Sequence, residues 1–303
     1  MVWVDDAAHG GADGRRGPDR PASPLAARLT VVVLTHERRE ELLRTLARLV
    51  AELAAGAIVV VDNGSCDGTE AAVAARFPAV QRVRLTRNLG AAGRNHGVQR
   101  AATPYVAFCD DDTWWAPGAL ARAAALLDAY PRLAVVTARV LVGATQREDA
   151  ACRYMGACGR PDPAALPGLE VAGFLAGACV MRRNAFLAAG GYEPRLFIGG
   201  EETLLALDLL AAGWRLAYVP ELVVHHYPSP RRDSGRRRHL LLRNALWCAW
   251  LRRPPGAAWR ETRRAWSVVA ALCGLPWVLR HRRVLPRHVE TALPLLDPER
   301  ERA

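Results

Sequence analysis

Residues 105–115, YVAFCDDDTWW, run from an apolar stretch directly into three adjacent carboxylates, Asp110, Asp111 and Asp112. Like charges crowded at the mouth of a buried strand repel unless a cation or hydrogen-bond donors compensate. A divalent metal suits such a cluster, because open α/β sheets bind ligands at the carboxyl ends of their strands and hard Mg²⁺ or Mn²⁺ prefers carboxylate oxygen. An acidic turn capping the next helix would read the same way, so the rest of the chain decides. His225 and His226 close the last apolar run, and beside a carboxylate cluster one of them becomes a candidate metal ligand. Asp62 ends the run IVVVD; Asn63, Gly64 and Ser65 after it suit an Asx-type turn that leaves Asp62 to meet a ligand. Residues 86–97, TRNLGAAGRNHG, are glycine-rich and basic before a helix, where backbone amides and Arg94 suit phosphate.

The elements that must hold these groups follow from periodicity. Leu29–Leu34 is an apolar, β-branched run, and Glu37–Leu53 repeats leucines at helical spacing. Three more pairs follow in the same rhythm: strands Ile58–Val61, Val80–Leu85 and Tyr105–Cys109, with helices Thr69–Arg76, Arg94–Ala101 and Pro117–Tyr130. Alternating units with continuously apolar strands predict a parallel sheet covered on both faces. Beyond Val142 the rhythm weakens. Gly143–Gly168 reads as a loop, Phe174–Arg182 as a strand, Asn184–Ala189 and Glu201–Ala212 as helices, and Arg215–Val224 as one or two strands around Pro220.

The chain has 303 residues and a net charge of +11, and every basic residue is arginine. Its seven cysteines are scattered without a CxxC pair, which argues for reduced thiols in the cytoplasm and against a disulfide framework or a zinc site. Asp5 and Asp6 stand where a signal peptide needs a basic start, and the apolar run Trp266–Leu279 is short of the ~20 residues that span a bilayer.

Taken together, the ordered segments resemble the family 2 glycosyltransferases of the GT-A fold. VVVLTHERREELLRTLARL is similar to that family's opening strand and helix, VDNGSCDGT to its nucleotide-contacting turn, NLGAAGRNHG to its glycine-rich segment and FCDDD to its DxD motif. FLAGACVMRRNAFLAAGGYEP, GGEE and VPELVVHH complete the pattern, which covers Leu29 to His226. The resemblance implies a Rossmann-like, mostly parallel sheet flanked by helices. It also implies transfer of a sugar from a nucleotide diphosphate to a hydroxyl acceptor, with Mg²⁺ or Mn²⁺ as cofactor.

By that resemblance Thr35 and Asp62 contact the nucleotide base, Arg94 and Asp110 help hold the nucleotide, and Asp111 faces sugar or ribose. Asp112 and His226 bind the metal at the diphosphate, and Glu202 is the catalytic base. The family pair there is Glu-Asp, whereas this chain has Glu201 and Glu202; Leu204 and Asp208 stand where an Asp and an Arg are often found. One positioned carboxylate opposite the leaving group predicts a single displacement with inversion.

Three segments are expected: a disordered leader over 1–27, the GT-A domain over 28–230 and a basic, tryptophan-bearing helical tail over 231–303. In the tail, arginines alternate with Leu240, Leu241, Leu242, Trp247, Trp250 and Leu251, a mixture that suits an anionic membrane surface as well as packing on the domain. A cytoplasmic enzyme held peripherally at the inner face of the plasma membrane, acting on a lipid-linked acceptor in envelope polysaccharide or glycolipid synthesis, fits these features. Nucleic acid is not an expected partner, since no recognition motif accompanies the charge. Two other readings remain: a catalytically degenerate scaffold that binds a sugar nucleotide, and a nucleotidyltransferase, which the absence of a glycine- and lysine-bearing signature disfavours. After the first strand THERRE replaces the GxGxxG of a dinucleotide-dependent oxidoreductase.

Overall fold

A computed structural model describes residues 25–162, 166–228, 234–265 and 269–296. Most of the expected leader lies outside the described residues; Leu25 and Ala26 pack partly buried against the core.

Four strands, three of them buried, build one half of the sheet. β1 (Leu29–Thr35) lies between β2 (Ile58–Asp62) and β4 (Tyr105–Asp110), with β3 (Gln81–Arg84) outside β2, and all these pairings are parallel. Parallel strands need crossovers, supplied by α1 (Arg39–Glu52), α2 (Thr69–Arg76) and α3 (Gly93–Arg100). The register sets Thr35 opposite Asp62 and Leu34 opposite Asp110, so three strands deliver their polar last residues to one edge. α3 lies close to the sheet because it presents glycine there. A Cβ at Gly97 would fall 2.4 Å from Val32 Cγ1 and 3.0 Å from Val61 Cγ2.

After β5 (Thr113–Trp115) and α4 (Ala119–Ala129), the second half is mixed. β6 (Leu133–Val142) pairs in parallel with the last strand, and β10 (Cys179–Arg182) is inserted antiparallel between β4 and β6. The expected strand Phe174–Arg182 is therefore shorter: Ala176–Ala178 forms a 3₁₀ turn instead. The close approach of Gly177 to Asp110, whose Oδ2 would lie 2.6 Å from a Cβ there, requires that turn.

The expected loop Gly143–Gly168 contains β7 (Arg147–Glu148), α5 (Ala150–Cys158) and β8 (Arg160–Pro161), followed by β9 (Leu169–Glu170). Asp149 caps α5 by accepting from the Ala151 amide at 2.8 Å, and Cys152 and Met155 bury its inner face. After α6 (Arg183–Ala188) and α7 (Glu201–Ala211), the two strands envisaged around Pro220 are one, β11 (Arg215–His226), with a register shift between Val219 and Val223.

The tail packs on the domain. α8 (Ser234–Arg252) lies against α7, burying Trp247, Cys248 and Leu251 with Leu196 and Leu204. Asn244, fully buried, donates to the carbonyls of Leu196 at 2.7 Å and Ile198 at 3.1 Å and also to that of Gly199, fixing the loop that leads into α7. Arg252 makes a two-pronged pair with Asp208, its Nη2 donating at 2.9 Å. Leu204 and Asp208, two of the positions that depart from the family pattern, therefore hold the tail. α9 (Pro255–Ala265), α10 (Leu275–Arg280) and α11 (Arg287–Leu296) follow, and α11 sends Val289 and Leu293 into the main core.

Candidate active site

The acidic turn joins β4 to β5 and is tied down on every side. Thr113 Oγ1 accepts from the Asp110 amide at 2.8 Å, Thr45 Oγ1 donates to the Asp111 carbonyl at 2.8 Å, and the Tyr227 amide donates to the Asp112 carbonyl at 2.9 Å. This brings β5 beside the end of β11, pairing Thr113 with His226.

Each carboxylate then has its own surroundings. Asp110, the most exposed of the three side chains, pairs with the guanidinium of Arg94, which is itself 7% exposed. Asp111 accepts from Thr35 Oγ1 at 3.0 Å and from Arg38 Nη1 at 3.0 Å. Asp112 accepts from the same Arg38 nitrogen at 3.3 Å, and its other oxygen lies 3.5 Å from His226 Nε2. Asp111 and Asp112 are each 4% exposed. Burial pushes the Asp111 carboxyl up to about 7; Arg38 opposes the shift and the neighbouring Asp112 and Asp110 add to it. The cluster thus retains a demand for positive charge.

His225 faces away from this cluster, as alternation along a strand requires. Its ring stacks on Trp114, its Nδ1 lies 2.7 Å from Gln146 Oε1, and burial lowers its pKa. Of the two histidines, His226 is the one at the carboxylates.

Asp62 is buried. Its Oδ1 accepts from the Ser65 amide at 2.9 Å, the Asx turn expected from sequence, while Oδ2 is buried with no partner. An orphaned carboxylate oxygen at a strand end is the signature of a group that awaits a donor.

The glycine-rich segment is packed closely into the domain. Asn63 accepts from the Leu89 amide and donates to Gly90 O, each at 2.9 Å, and the Ala91 amide donates to Phe197 O at 2.7 Å. Gly90 has φ of +61° and sits so close to Phe197 O that a Cβ would lie 1.9 Å from it. These glycines join the Asp62 turn to the loop before α7.

Glu201 and Glu202 open α7 behind Gly200, where the helix N-terminus favours negative charge. Glu202 Oε1 accepts from the Ala176 amide at 2.5 Å, so the 3₁₀ turn against Asp110 also holds Glu202. Burial raises Glu202 above the usual carboxylate range, and the adjacent Glu201 carboxylate raises it further; the Ala176 amide and Arg94 act the other way. Burial likewise raises Glu201, whose Oε2 has no hydrogen-bond partner.

The structure therefore gathers Thr35, Asp110, Asp111, Asp112 and His226, places Asp62 beside Thr35, and links Glu202 to Asp110 through residues 176–177. Arg94 lies beneath the cluster as a buried counter-ion. Sequence reasoning missed Arg38 and the Ala176 amide. Arg38 follows the β1 end by three residues, a position that could have marked it.

Among the described residues no group of three or more His, Cys, Asp and Glu side chains could hold a metal ion. Asp112 Oδ1 and His226 Nε2 nevertheless suit two neighbouring corners of an octahedron, whose donors lie about 3 Å apart for Mg²⁺. Such a metal would draw its remaining ligands from substrate phosphate and water.

An α/β sheet with its carboxylates massed at one edge is the architecture of nucleotide-sugar enzymes, and comparison with known proteins agrees. Solved structures of the same fold include GalNAc-T7 with UDP, GalNAc and Mn²⁺, at a TM-score of 0.62 and 15% identity, covering 92% of this chain and 59% of that one. The mannosyltransferase PcManGT from Pyrobaculum calidifontis, in complex with GDP-Man and Mn²⁺, aligns at 0.56 and 20% identity over 93% of this chain and 86% of its own. The fold is GT-A and the protein is a glycosyltransferase. It belongs to glycosyl transferase family 2, whose profile matches residues 30–188. The N-acetylglucosaminyl-diphospho-decaprenol L-rhamnosyltransferase of Mycobacterium tuberculosis is 28% identical over 283 residues, 80% of this chain and 90% of that protein. The pre-mycofactocin glycosyltransferase of the same organism is 30% identical over 227 residues, 71% of this chain but 46% of its own length.

Proposed function

We propose that the protein is a metal-dependent, inverting glycosyltransferase that moves a sugar from a nucleotide-diphosphate donor to a hydroxyl of a lipid-linked acceptor in envelope synthesis. The observation that carries this reading is that Asp112 lies 3.5 Å from His226 at the carboxyl edge of the sheet, while Glu202 is held by the 176–177 turn that packs against Asp110.

In this reading the unpartnered Asp62 Oδ2 accepts the imide N–H of the base, with Thr35 beside it. Asp112 and His226 hold Mg²⁺ or Mn²⁺, which when bound offsets the charge growing on the departing diphosphate. Asp111, kept in place by Thr35 and Arg38, faces ribose or sugar. Asp110 helps hold the nucleotide, and Arg94 serves through it. Glu202 takes the acceptor hydroxyl proton as that oxygen attacks the anomeric carbon opposite the leaving group. The longer Glu at this position remains able to act because the Ala176 amide fixes one oxygen and leaves the other for the acceptor. Residues 28–230 carry the chemistry and the helices beyond brace it.

The name of the rhamnosyltransferase relative, with its decaprenol-linked acceptor, supports a lipid-linked substrate. Incubation with a panel of nucleotide sugars and Mn²⁺, read by proton NMR of the anomeric signal, tests the reading. Transfer with inverted configuration is expected, and retained configuration contradicts it.

Among the described residues no helix is long and apolar enough to cross a membrane. Surface attachment is supported by the exposed ridge of Leu272, Leu275 and Leu279, which are 64%, 40% and 55% exposed. Leu275 and Leu279, four apart in α10, share one helical face, and Leu272 lies in the 3₁₀ turn just before it, with exposed Arg280 and Arg283 following in the chain. No acidic residue falls between Glu261 and Glu290. At about 1 kcal/mol per basic residue near an anionic surface, such a patch is drawn to the inner leaflet of the plasma membrane. Sedimentation with vesicles should pull the protein down when anionic lipid is present, and Leu272→Asp with Leu279→Asp should leave it in the supernatant. Equal sedimentation of the double variant contradicts the patch.

A further inference from the structure

We propose that Arg38 is a resident counter-cation of the acidic turn that competes with the divalent metal, so that the metal binds in step with a nucleoside diphosphate. This rests on the reading of Asp112 and His226 as metal donors. The Arg38 guanidinium bridges two buried carboxylates, at 3.0 Å from Asp111 Oδ1 and 3.3 Å from Asp112 Oδ2. Asp112 thus offers one oxygen to Arg38 and the other to His226.

The charge count of the pocket explains why that matters. Asp110, Asp111 and Asp112 set against the two guanidiniums, Arg38 and Arg94, leave at most one net negative charge in the turn. A divalent cation alone would turn this into a net positive charge, with the metal next to an arginine, and low-dielectric surroundings magnify that repulsion. A divalent cation arriving with a nucleoside diphosphate brings at least as much negative charge as positive. The diphosphate also gives Arg38 a new partner, since its planar fork suits phosphate oxygens.

The local backbone favours a side-chain exchange over a loop movement. Arg38 caps α1 with non-helical φ of −140° and ψ of 50°, and its carbonyl is fixed by the Leu42 amide at 3.0 Å. Glu37 before it is pinned, its amide donating to Ser65 Oγ at 3.0 Å and its Oε1 accepting from the Cys66 amide at 2.6 Å. The chain is therefore held to the Asp62 turn on one side, while the Arg38 side chain remains 22% exposed.

The consequence is a coupling between metal and nucleotide that passes through one side chain and is reciprocal. It is tested by Mn²⁺ binding, read as loss of the free-ion paramagnetic resonance signal, with and without UDP, GDP or dTDP. Wild type is expected to bind Mn²⁺ weakly alone and more tightly with the diphosphate it accepts. Arg38→Gln is expected to bind Mn²⁺ alone roughly tenfold more tightly and to show a smaller gain from nucleotide, within the ~5- to 150-fold range of ordinary couplings. Arg38→Lys, which keeps the charge but cannot span both carboxylates, should fall between them and covers the case in which the Gln variant does not fold. No gain in Mn²⁺ affinity in either folded variant overturns the role of Arg38 while leaving the metal site standing. Absence of Mn²⁺ binding to wild type with every diphosphate overturns both.

Discussion

Glu202→Gln removes turnover, lowering kcat by about 10²- to 10⁴-fold, the usual worth of a positioned general base, while nucleotide-sugar affinity stays close to wild type. The amide keeps the size and the hydrogen bond of the Ala176 N–H but cannot accept a proton. The same carboxylate sets the pH dependence. Burial and then Glu201 raise its pKa, so the ionised form that accepts the proton accumulates only above the ordinary carboxylate range. Transfer should therefore climb as pH rises through that raised pKa and fall steeply below it. The residual activity of Glu202→Gln should lack this acidic limb. Steady-state rates across pH check both statements; a Gln variant with wild-type kcat assigns the base elsewhere.

Asp112→Asn has the second large effect. It preserves shape but removes one of two charged oxygens that face His226 and Arg38. Disturbing even the outer partners of a metal site costs about 10- to 100-fold in metal affinity, so losing a ligating charge should cost at least as much. Calorimetric titration of a nucleoside diphosphate should show the tightening by Mn²⁺ in wild type and its loss in Asp112→Asn. The base contacts proposed for Thr35 and Asp62 at the ends of β1 and β2 should remain as weak metal-independent binding. An unchanged Mn²⁺ effect in the variant would remove Asp112 from the metal site.

The first half of the sheet was legible because β1, β2 and β4 are buried on both faces. Continuous apolar runs such as Val31–Val33 and Val59–Val61 end in a polar residue at the carboxyl edge of the sheet, where open α/β sheets bind ligands. Thr35, Asp62 and Asp110 to Asp112 are such residues. The second half was harder to read. Phe174–Arg182 looks like one strand, yet Gly177 has to pass close to Asp110, and that long-range contact bends 176–178 into the turn that presents its amide to Glu202. The glycines at 90, 93 and 97 look like a phosphate loop, but their missing side chains make room for Phe197, Leu34 and Val32. Arg38 was hidden because an arginine after a strand resembles any solvated charge; only the fold brings it 73 and 74 residues along the chain to Asp111 and Asp112. Leu204 and Asp208 looked like losses from the acceptor side, whereas the cluster with Trp247 and the pair with Arg252 give them work in seating the tail.

The acidic edge of the sheet is proposed to hold a diphosphate together with a divalent cation. This is tested most directly by calorimetry of the unaltered protein with UDP, GDP and dTDP, each with Mn²⁺ and with chelator. At least one diphosphate should bind with Mn²⁺ and weaken at least tenfold when the ion is removed, in line with the loss expected for a disturbed metal site. Binding of equal strength under both conditions, or of none of the three under either, would contradict the account.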